Sequence, residues 1–477
     1  MRVCSIESPD TATEDVSVAH NYMTVTMVQS TKAASSPFKP KSQASRLTHA
    51  PTSKSKRHKI GVVICLVQLF LAFVIALYLL VLLMTVSGPT SSSDFSSPPP
   101  SETIAYAVTI TNCGSPLEAE FQIAEGAAVL QYSVHRSSVH GNLGGRYDYK
   151  MYAIYHPEAK DCVGPLAELG YTLIERDSPV KLEEIKGKFL RERLPKSGCC
   201  GEKELIKFEA FTLTDHPAIV LLDLDVIIMK PLDDLFDWML HGKRAPDHHL
   251  MWPNKPVTVT DIRLFYVTDY QMGVADQEIK PVQGGFTIFR PDPKVLDEIK
   301  ATVREGQYFD GSGWYNKTGM YWGSTTFQGL VPYYFFVKDP GHAVELHWCI
   351  HDNMASSPFD DDPGRVGVCV TGEQTCEDCR QRPIADLYSA HFTNCKKPWF
   401  CLDHNQGVEH HPLCRDMNHV WYQVRSEMEQ SWGRSALGPY PHWKHGRHFF
   451  GFCRTPLHKG YIYIQKPYGK PISVANS

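Results

Sequence analysis

The longest apolar run in the chain extends from Ile60 to Val86 (IGVVICLVQLFLAFVIALYLLVLLMTV), with no charge and with Gln68 as its only strongly polar residue. As a helix it would reach roughly 40 Å, enough to cross a ~30 Å hydrocarbon core with some tilt. A cleaved signal peptide has a short basic region and an apolar core of about 7–15 residues. Here a long tail precedes a much longer run, so the pattern predicts a transmembrane signal anchor over residues 60–86.

Beyond it the periodicity changes to short alternating elements. Ile104–Ile110 and Tyr149–Tyr155 read as strands, with a helical stretch near Ala124–Arg136 between them. A helix end at Leu166–Leu169, a third strand at Tyr171–Glu175 and a helical pattern over Gly201–Leu213 follow. Ala218–Leu222 (AIVLL) is wholly apolar, as strands buried on both faces of a parallel sheet are. This β-α-β order predicts an α/β domain with a mostly parallel central sheet flanked by helices.

The flanks orient the predicted span. Lys54, Lys56, Arg57 and Lys59 precede it, while Ser87–Ser101 carries no Lys or Arg. The positive-inside rule therefore leaves the N-terminus cytosolic and sends the C-terminal bulk across the membrane. Residues 1–59, rich in Ser, Thr and Lys, read as a disordered cytosolic tail, and the Ser/Pro-rich residues 87–103 as a stem. Residues 104–477 are then a lumenal domain with a Cys-rich C-terminal third. Asn316-Lys317-Thr318 is a glycosylation sequon, and twelve of the 14 cysteines lie beyond the anchor, an even number compatible with disulfides. Cys199-Cys200 belongs with them. Cys376-Glu377-Asp378-Cys379 has redox or zinc-like spacing, but no second C-x-x-C completes a four-ligand site, so structural disulfides are expected. A net charge of −4 supplies no basic field for nucleic acid.

The candidate chemistry begins where the buried strand ends, at Asp223-Leu224-Asp225, followed by Val226-Ile227-Ile228. Carboxylates at i and i+2 of an extended chain point to one side. At the C-terminal end of a parallel strand they face the crevice where open α/β sheets bind ligands. Their oxygens suit Mg²⁺ or Mn²⁺, which can hold a diphosphate and neutralise it as it leaves. Two carboxylates buried between apolar flanks without a counter-ion would be costly.

Lys207–Asp237 (KFEAFTLTDHPAIVLLDLDVIIMKPLDDLFD) resembles the core of the glycogenin-like retaining glycosyltransferases, family 8. His391-Phe392 and Lys397-Pro398-Trp399 resemble the family's "HF…KPW" signature, and Thr111-Asn112 its nucleotide-contacting "TN". The resemblance spans roughly residues 104–400 and implies a GT-A-type catalytic domain that uses a nucleotide-diphosphate sugar, typically a UDP-sugar, and Mn²⁺ or another divalent cation. By the same resemblance Asp223, Asp225 and His391 are metal ligands, Lys397 binds a donor phosphate, and Lys207 contacts the donor. Thr111 and Asn112 would contact the nucleoside, Gln328 would lie near the reacting centre, and Gln328 and Lys207 are the implied catalytic residues. A glycan or glycoprotein acceptor is expected, and the anchor, short stem and this chemistry together point to a Golgi membrane location, with the endoplasmic reticulum or plasma membrane as alternatives.

The sequence also departs from the family. Gln283-Gly284-Gly285 stands where a central "N-(A/S)-G" strand shapes the sugar site, and Phe327 stands where an aspartate precedes the glutamine. These departures leave an inactive lectin-like or scaffold protein, or an inverting transferase, as alternatives. Trp314, Tyr315, Tyr321 and Trp322 are either packing residues or acceptor-site aromatics. His351-Asp352 and Asp360-Asp361-Asp362 read as solvated loop charges.

Overall fold

The computed structural model describes residues 102–471, apart from 115–118, 199, 274–277, 361–363, 401–411, 435–441, 445–446, 450–451 and 454–459. The predicted tail, anchor and stem up to residue 101 lie outside the described residues. Among the described residues, no helix is long and apolar enough to cross a membrane.

The first strand, β1 (Thr103–Ile110), leads into helix α1 (Ala119–Arg136) and strand β2 (Asp148–Tyr155). A short helix at Gly164–Glu168 precedes β3 (Thr172–Glu175). The helical pattern over Gly201–Leu213 is realised as a 3₁₀-type helix, Gly201–Thr212. Then come β4 (Ile219–Leu222), β5 (Val226–Ile228), α2 (Asp233–His241), β6 (Leu264–Thr268), β7 (Val282–Phe289) and α3 (Pro293–Glu305). The hairpin β8 (Tyr308–Phe309) and β9 (Gly313–Trp314) is followed by α4 (Phe327–Pro332), β10 (Ala343–Glu345), β11 (Ser389–His391) and α5 (Pro412–Ser431).

Seven strands form one sheet in the order β10-β6-β7-β4-β1-β2-β3. The pairings of β1 with β2 and β4, of β2 with β3, and of β6 with β10 are parallel, while β7 runs antiparallel to both β4 and β6. The sheet is therefore mostly parallel, with one reversed strand. The chain leaves β1 toward β2 on one side and returns to β4 on the other. That reversal opens a crevice at the C-terminal ends of β1 and β4, where α/β sheets bind ligands.

Period-two alternation along β1 sorts its side chains between two cores. Tyr106 and Val108 join α1 residues Ile123, Ala127 and Leu130 on one face. Ala105 and Ala107 join Leu205 and Phe208 of the 3₁₀ helix and Ile299 of α3 on the other. A third core in the C-terminal part gathers Trp399, Met417, Trp421 and Phe452 around Ile227 of β5 and Ala390 of β11. It anchors the small sheet that builds the site.

The disulfides follow no C-x-x-C logic. Cys376 bonds to Cys369 and Cys379 to Cys349, so the two members of Cys376-Glu377-Asp378-Cys379 serve different loops. Cys113–Cys162 and Cys395–Cys414 are also closed, and Cys200 and Cys453 are disulfide-bonded. Cys199 lies outside the described residues.

Candidate active site

The wholly buried β4 ends at Leu222, and Asp223-Leu224-Asp225 forms a turn, not the extended segment the sequence pattern suggested. The amide of Val226 donates to the Asp223 carbonyl at 3.3 Å, closing the turn. Helix α1 lies directly on it: a Cβ added at Gly126 would stand 2.7 Å from the Leu224 carbonyl oxygen. The chain then enters β5, which pairs antiparallel with β11 in a register that sets His391 opposite Val226. The Phe392 amide donates to the Asp225 carbonyl at 3.0 Å. This ladder, rather than sequence proximity, brings His391 onto the carboxylates. Ligand atoms of Asp223, Asp225 and His391 all lie within 4.8 Å of one another, and all three residues are buried.

The floor is β7. The Asp223 amide donates to the Gly285 carbonyl at 3.0 Å, and Gln283 Oε1 accepts from the Gly285 amide at 2.9 Å. A Cβ at Gly285 would come within 2.4 Å of His391 Cε1 and 3.1 Å of Asp223 Oδ2. Glycine there is a requirement of space, since any side chain would occupy the place of the ligands. The departure at Gln283-Gly284-Gly285 therefore falls directly beneath the three candidate ligands.

Charge is concentrated in the site without being balanced. Lys207, 2% exposed, donates to Asp223 Oδ1 at 3.0 Å and to the Gly284 carbonyl at 2.9 Å. Lys397 donates to Asp225 Oδ2. His391 stands between two carboxylates, with Nε2 at 3.4 Å from Asp225 Oδ1 and Nδ1 at 3.3 Å from Asp352 Oδ1. Burial pushes the Asp223 carboxyl up, and Lys207 only partly offsets this, leaving it at about 6. Burial also acts to raise Asp225, but Lys397 and His391 outweigh it and hold that carboxyl well below the usual range. For His391 burial works to lower the pKa, yet the Asp352 and Asp225 carboxylates overcome it and raise it to about 10. Asp223, Asp225 and Asp352 thus face Lys207 and Lys397, with buried Asp269 also close enough to act on Asp352 and His391, and further positive charge comes from a proton on His391 or from a cation in its place.

The donor set fits a cation. Asp225 Oδ1 and His391 Nε2 are both buried and lack a hydrogen-bond partner. Two atoms each ~2.1 Å from one ion at right angles would be ~3 Å apart, close to the 3.4 Å between these two. Carboxylates with one imidazole suit Mn²⁺, Mg²⁺ or Zn²⁺. A second grouping, His347, Cys349 and Glu377, does not qualify, because Cys349 is tied up in its disulfide.

Thr111 and Asn112 follow β1 at the same sheet edge as Asp223, since Val108 pairs with Leu222. Thr111 is buried, and Asn112 folds back so that its Oδ1 accepts from the Gly114 amide at 2.8 Å. Gln328 is buried on α4, and its Nε2 lacks a partner. It flanks Gly284, where an added Cβ would meet Gln328 Cγ at 3.3 Å and Lys207 Nζ at 3.4 Å. Phe327 belongs to the core, packed on Phe208 at 5.0 Å between ring centroids, with the Lys207 ammonium 5.7 Å from its own ring. Trp314 and Tyr321 are buried packing residues. Trp322 lines a cleft of about 540 Å³ with Tyr321, Phe189, Arg193, Lys196 and Gly323. Gly323 backs onto the site, for a Cβ on it would meet Gln328 Oε1 at 2.3 Å.

Asp352 is the residue that sequence reasoning misplaced. It is 1% exposed and faces His391, not solvent, and His351 is likewise buried, hydrogen-bonded to His249 at 2.9 Å. Asp360, by contrast, pairs with Arg365 at 3.0 Å, and 361–363 lie outside the described residues. The run His347–Ile350 before Asp352 carries apolar Trp348, Cys349 and Ile350, which was the available hint of burial.

No family model matches the sequence, and no curated protein matches it. Among solved structures, the chain is similar to the apo form of the bifunctional glycosyltransferase WbbM, at 11% identity and a TM-score of 0.36 over 71% of this chain and 50% of that one. It thus spans about half the length of that protein. It is similar to the apo form of mouse xyloside xylosyltransferase 1, at 12% identity and a TM-score of 0.37, over 63% of this chain and 100% of that chain. It is also similar to the galactosyltransferase LgtC in complex with donor and acceptor sugar analogs, at 11% identity and a TM-score of 0.31, over 67% and 95% of the two chains.

Proposed function

We propose that this chain is a metal-dependent, retaining glycosyltransferase that moves a sugar from a nucleotide-diphosphate sugar, of the UDP-sugar kind, to a glycan or glycoprotein acceptor. The observation that carries the reading is the pair of buried, unpartnered polar atoms Asp225 Oδ1 and His391 Nε2, 3.4 Å apart, at the C-terminal edge of the sheet. Asp223 and Lys397 flank them. The family resemblance of the DLD and HF…KPW segments supports it independently.

A divalent ion held by Asp223, Asp225 and His391 would supply Lewis-acid charge to a leaving diphosphate. Lys397, 12% exposed at the side chain and bonded to Asp225, stands at the rim and is placed to exchange that carboxylate for a phosphate oxygen. Lys207 stays with Asp223 and the Gly284 carbonyl and keeps the inner carboxylate ionised. The unpaired amide of Gln328 offers a donor to the sugar. Thr111 and Asn112 stand at the nucleoside end. The anomeric carbon–oxygen bond to the nucleotide breaks as the acceptor oxygen bonds to that carbon from the same face. The acceptor proton leaves with the departing phosphate. Fixed cations aimed at charge that develops in a water-poor site provide most of the rate. The cleft beside Trp322, which adjoins Gln328 through Gly323, is the candidate seat of the acceptor sugar.

The same reading makes the chain a single-pass type II membrane protein of the Golgi, anchored by residues 60–86. The charge asymmetry of the flanks and the domain's disulfides favour it.

The test is hydrolysis of a panel of nucleotide sugars by the purified chain, with and without Mn²⁺. Metal-dependent release of nucleotide diphosphate from one donor, abolished by Asp225→Ala, is expected. A folded, disulfide-intact chain that neither hydrolyses a donor nor binds a nucleotide would overturn the reading and favour an inactive binding protein.

A further inference from the structure

The segment that carries Asp352 holds a backbone that side chains ordinarily avoid. Asp352 has φ +53° and Ala355 φ +54°. Left-handed conformations are unfavourable for a non-glycine residue and persist only when the surroundings enforce them. Here the surroundings do so from three sides. The Asp352 amide donates to Ser389 Oγ at 2.7 Å, and the His391 amide donates to the Asn353 carbonyl at 3.0 Å. Asn353 Nδ2 donates to the carbonyls of Cys349 at 2.7 Å and Cys379 at 3.3 Å. Those two cysteines are joined by a disulfide.

The strained turn aims one side chain. Both Asp352 carboxylate oxygens lie close to His391 Nδ1, at 3.3 Å and 3.4 Å, and the two side chains have no solvent exposure. Among the described ion pairs, Asp352 has no lysine or arginine partner. A carboxylate only accepts hydrogen bonds, so His391 must keep its hydrogen on Nδ1. Once the ring is neutral, the Nε2 lone pair is the one turned toward Asp225 Oδ1. A metal-bound histidine is commonly fixed in this way by a carboxylate on its other nitrogen.

We infer that Asp352 is the positioning residue of this site: it fixes the ring and tautomer of His391 so that Nε2 is offered to a divalent cation. The inference rests on reading the site as a metal centre. The Cys349–Cys379 bond and Asn353 hold the strained turn, and Asp352 passes that order to the ligand. Loss of such an outer partner lowers metal affinity about 10–100-fold.

The experiment is a Mn²⁺ titration of the purified chain, followed by electron paramagnetic resonance, with wild type, Asp352→Asn, Asp352→Leu and Asp352→Glu. Melting curves in the absence of metal report folding. Asp352→Asn keeps the shape but can turn its NH₂ toward Nδ1, which allows the hydrogen to sit on Nε2. Its Mn²⁺ affinity is expected to fall about tenfold or more while it still melts cooperatively. Asp352→Leu should lose more, and Asp352→Glu should recover part of the loss. A folded Asp352→Asn protein that binds Mn²⁺ as tightly as wild type overturns the inference, because a purely structural carboxylate would not touch affinity. Failure of wild type itself to bind Mn²⁺ overturns the metal reading instead. The tautomer then decides for Asp352: ¹⁵N shifts recorded at a pH high enough to deprotonate the ring that place the remaining hydrogen of His391 on Nε2 would refute it, and a hydrogen on Nδ1 would support it.

Discussion

Gly285 and His391 are packed so closely that a single methyl group on the glycine would stand 2.4 Å from the histidine ring carbon Cε1. The neighbouring Gly284 has more room, with its nearest obstacle at 3.3 Å. Gly285→Ala should therefore displace His391 and reduce Mn²⁺ affinity and donor hydrolysis by at least about tenfold. Gly284→Ala should cost less, because contacts at 3.3 Å and 3.4 Å ask its neighbours to move by only a few tenths of an ångström. Calorimetric titration of both variants with Mn²⁺ checks the contrast; equal losses would contradict it.

Lys207 tests the internal charge balance. Its ammonium is the closest counter-charge to buried Asp223. Removing one partner of a buried pair typically costs about 3–5 kcal/mol, and Lys207→Met should lose stability of that order without metal. Added Mn²⁺ restores positive charge beside Asp223, so the metal-induced rise in melting temperature should be larger in the variant than in wild type. An equal rise would place the metal elsewhere.

Proton release should accompany metal binding. With its pKa raised to about 10, His391 is protonated at neutral pH in the metal-free protein and must shed that proton to offer Nε2. Apparent Mn²⁺ affinity should therefore increase with pH, by about tenfold per unit near neutrality for one proton. Below about pH 6 the slope steepens, as Asp223 also has to lose a proton. Titrations in buffers of different ionisation enthalpy count the protons directly, and a pH-independent affinity would exclude His391 as a ligand.

The Cys349–Cys379 bridge closes a loop with a sequence separation of 30. By chain entropy such a bond contributes about 3–4 kcal/mol. Cys379→Ser should lower the melting temperature and, by loosening Asn353 and Asp352, weaken Mn²⁺ binding as well. Cys376→Ser opens only the loop to Cys369, with a separation of 7, and should leave metal affinity near wild type. Peptide mapping that finds Cys376 bonded to Cys379 would contradict both expectations.

Asn316 lies exposed on a turn, with Ser312 Oγ donating to its Oδ1 at 2.6 Å. If the domain is lumenal, expression in a eukaryotic secretory system should add one N-glycan there. Asn316→Gln should abolish the mobility shift on glycosidase treatment. Unmodified Asn316 in a membrane-inserted chain would argue for the opposite topology.

How much of this was legible in the chain depended on whether a feature is local. The strand before Asp223 is marked by its unbroken apolar run, and β1, α1 and β2 by clear periodicity, so the left half of the sheet was readable. His391 and Lys397 were found through a resemblance of short segments, not through any periodicity. The reversed strand β7 is legible only through the resemblance of Gln283-Gly284-Gly285 to a central family strand and not through periodicity, since two adjacent glycines read as a break in a strand. Asp352 escaped for a different reason. A left-handed turn and a carboxylate–imidazole contact leave no trace in hydrophobic patterning, and charges in loops are ordinarily solvated. Cys376 and Cys379 misdirect in the same way, since their spacing suggests a pair and the fold assigns each another partner.

The β5–β11 ladder also has a bearing on how the molecule comes into being. Lys397 meets Asp225 across 172 residues of chain, so Asp225 is synthesised long before Lys397 and His391, the groups that neutralise it, whereas Lys207 precedes its partner Asp223. Until the last third docks, a nascent domain carries the Asp225 carboxylate without its cations, a state that disfavours early closure of the sheet. The domain is then indivisible in time as well as in space. Chains stopped before residue 389 should persist only as open, chaperone-dependent intermediates, and the appearance of tight metal binding would mark the moment at which folding is complete.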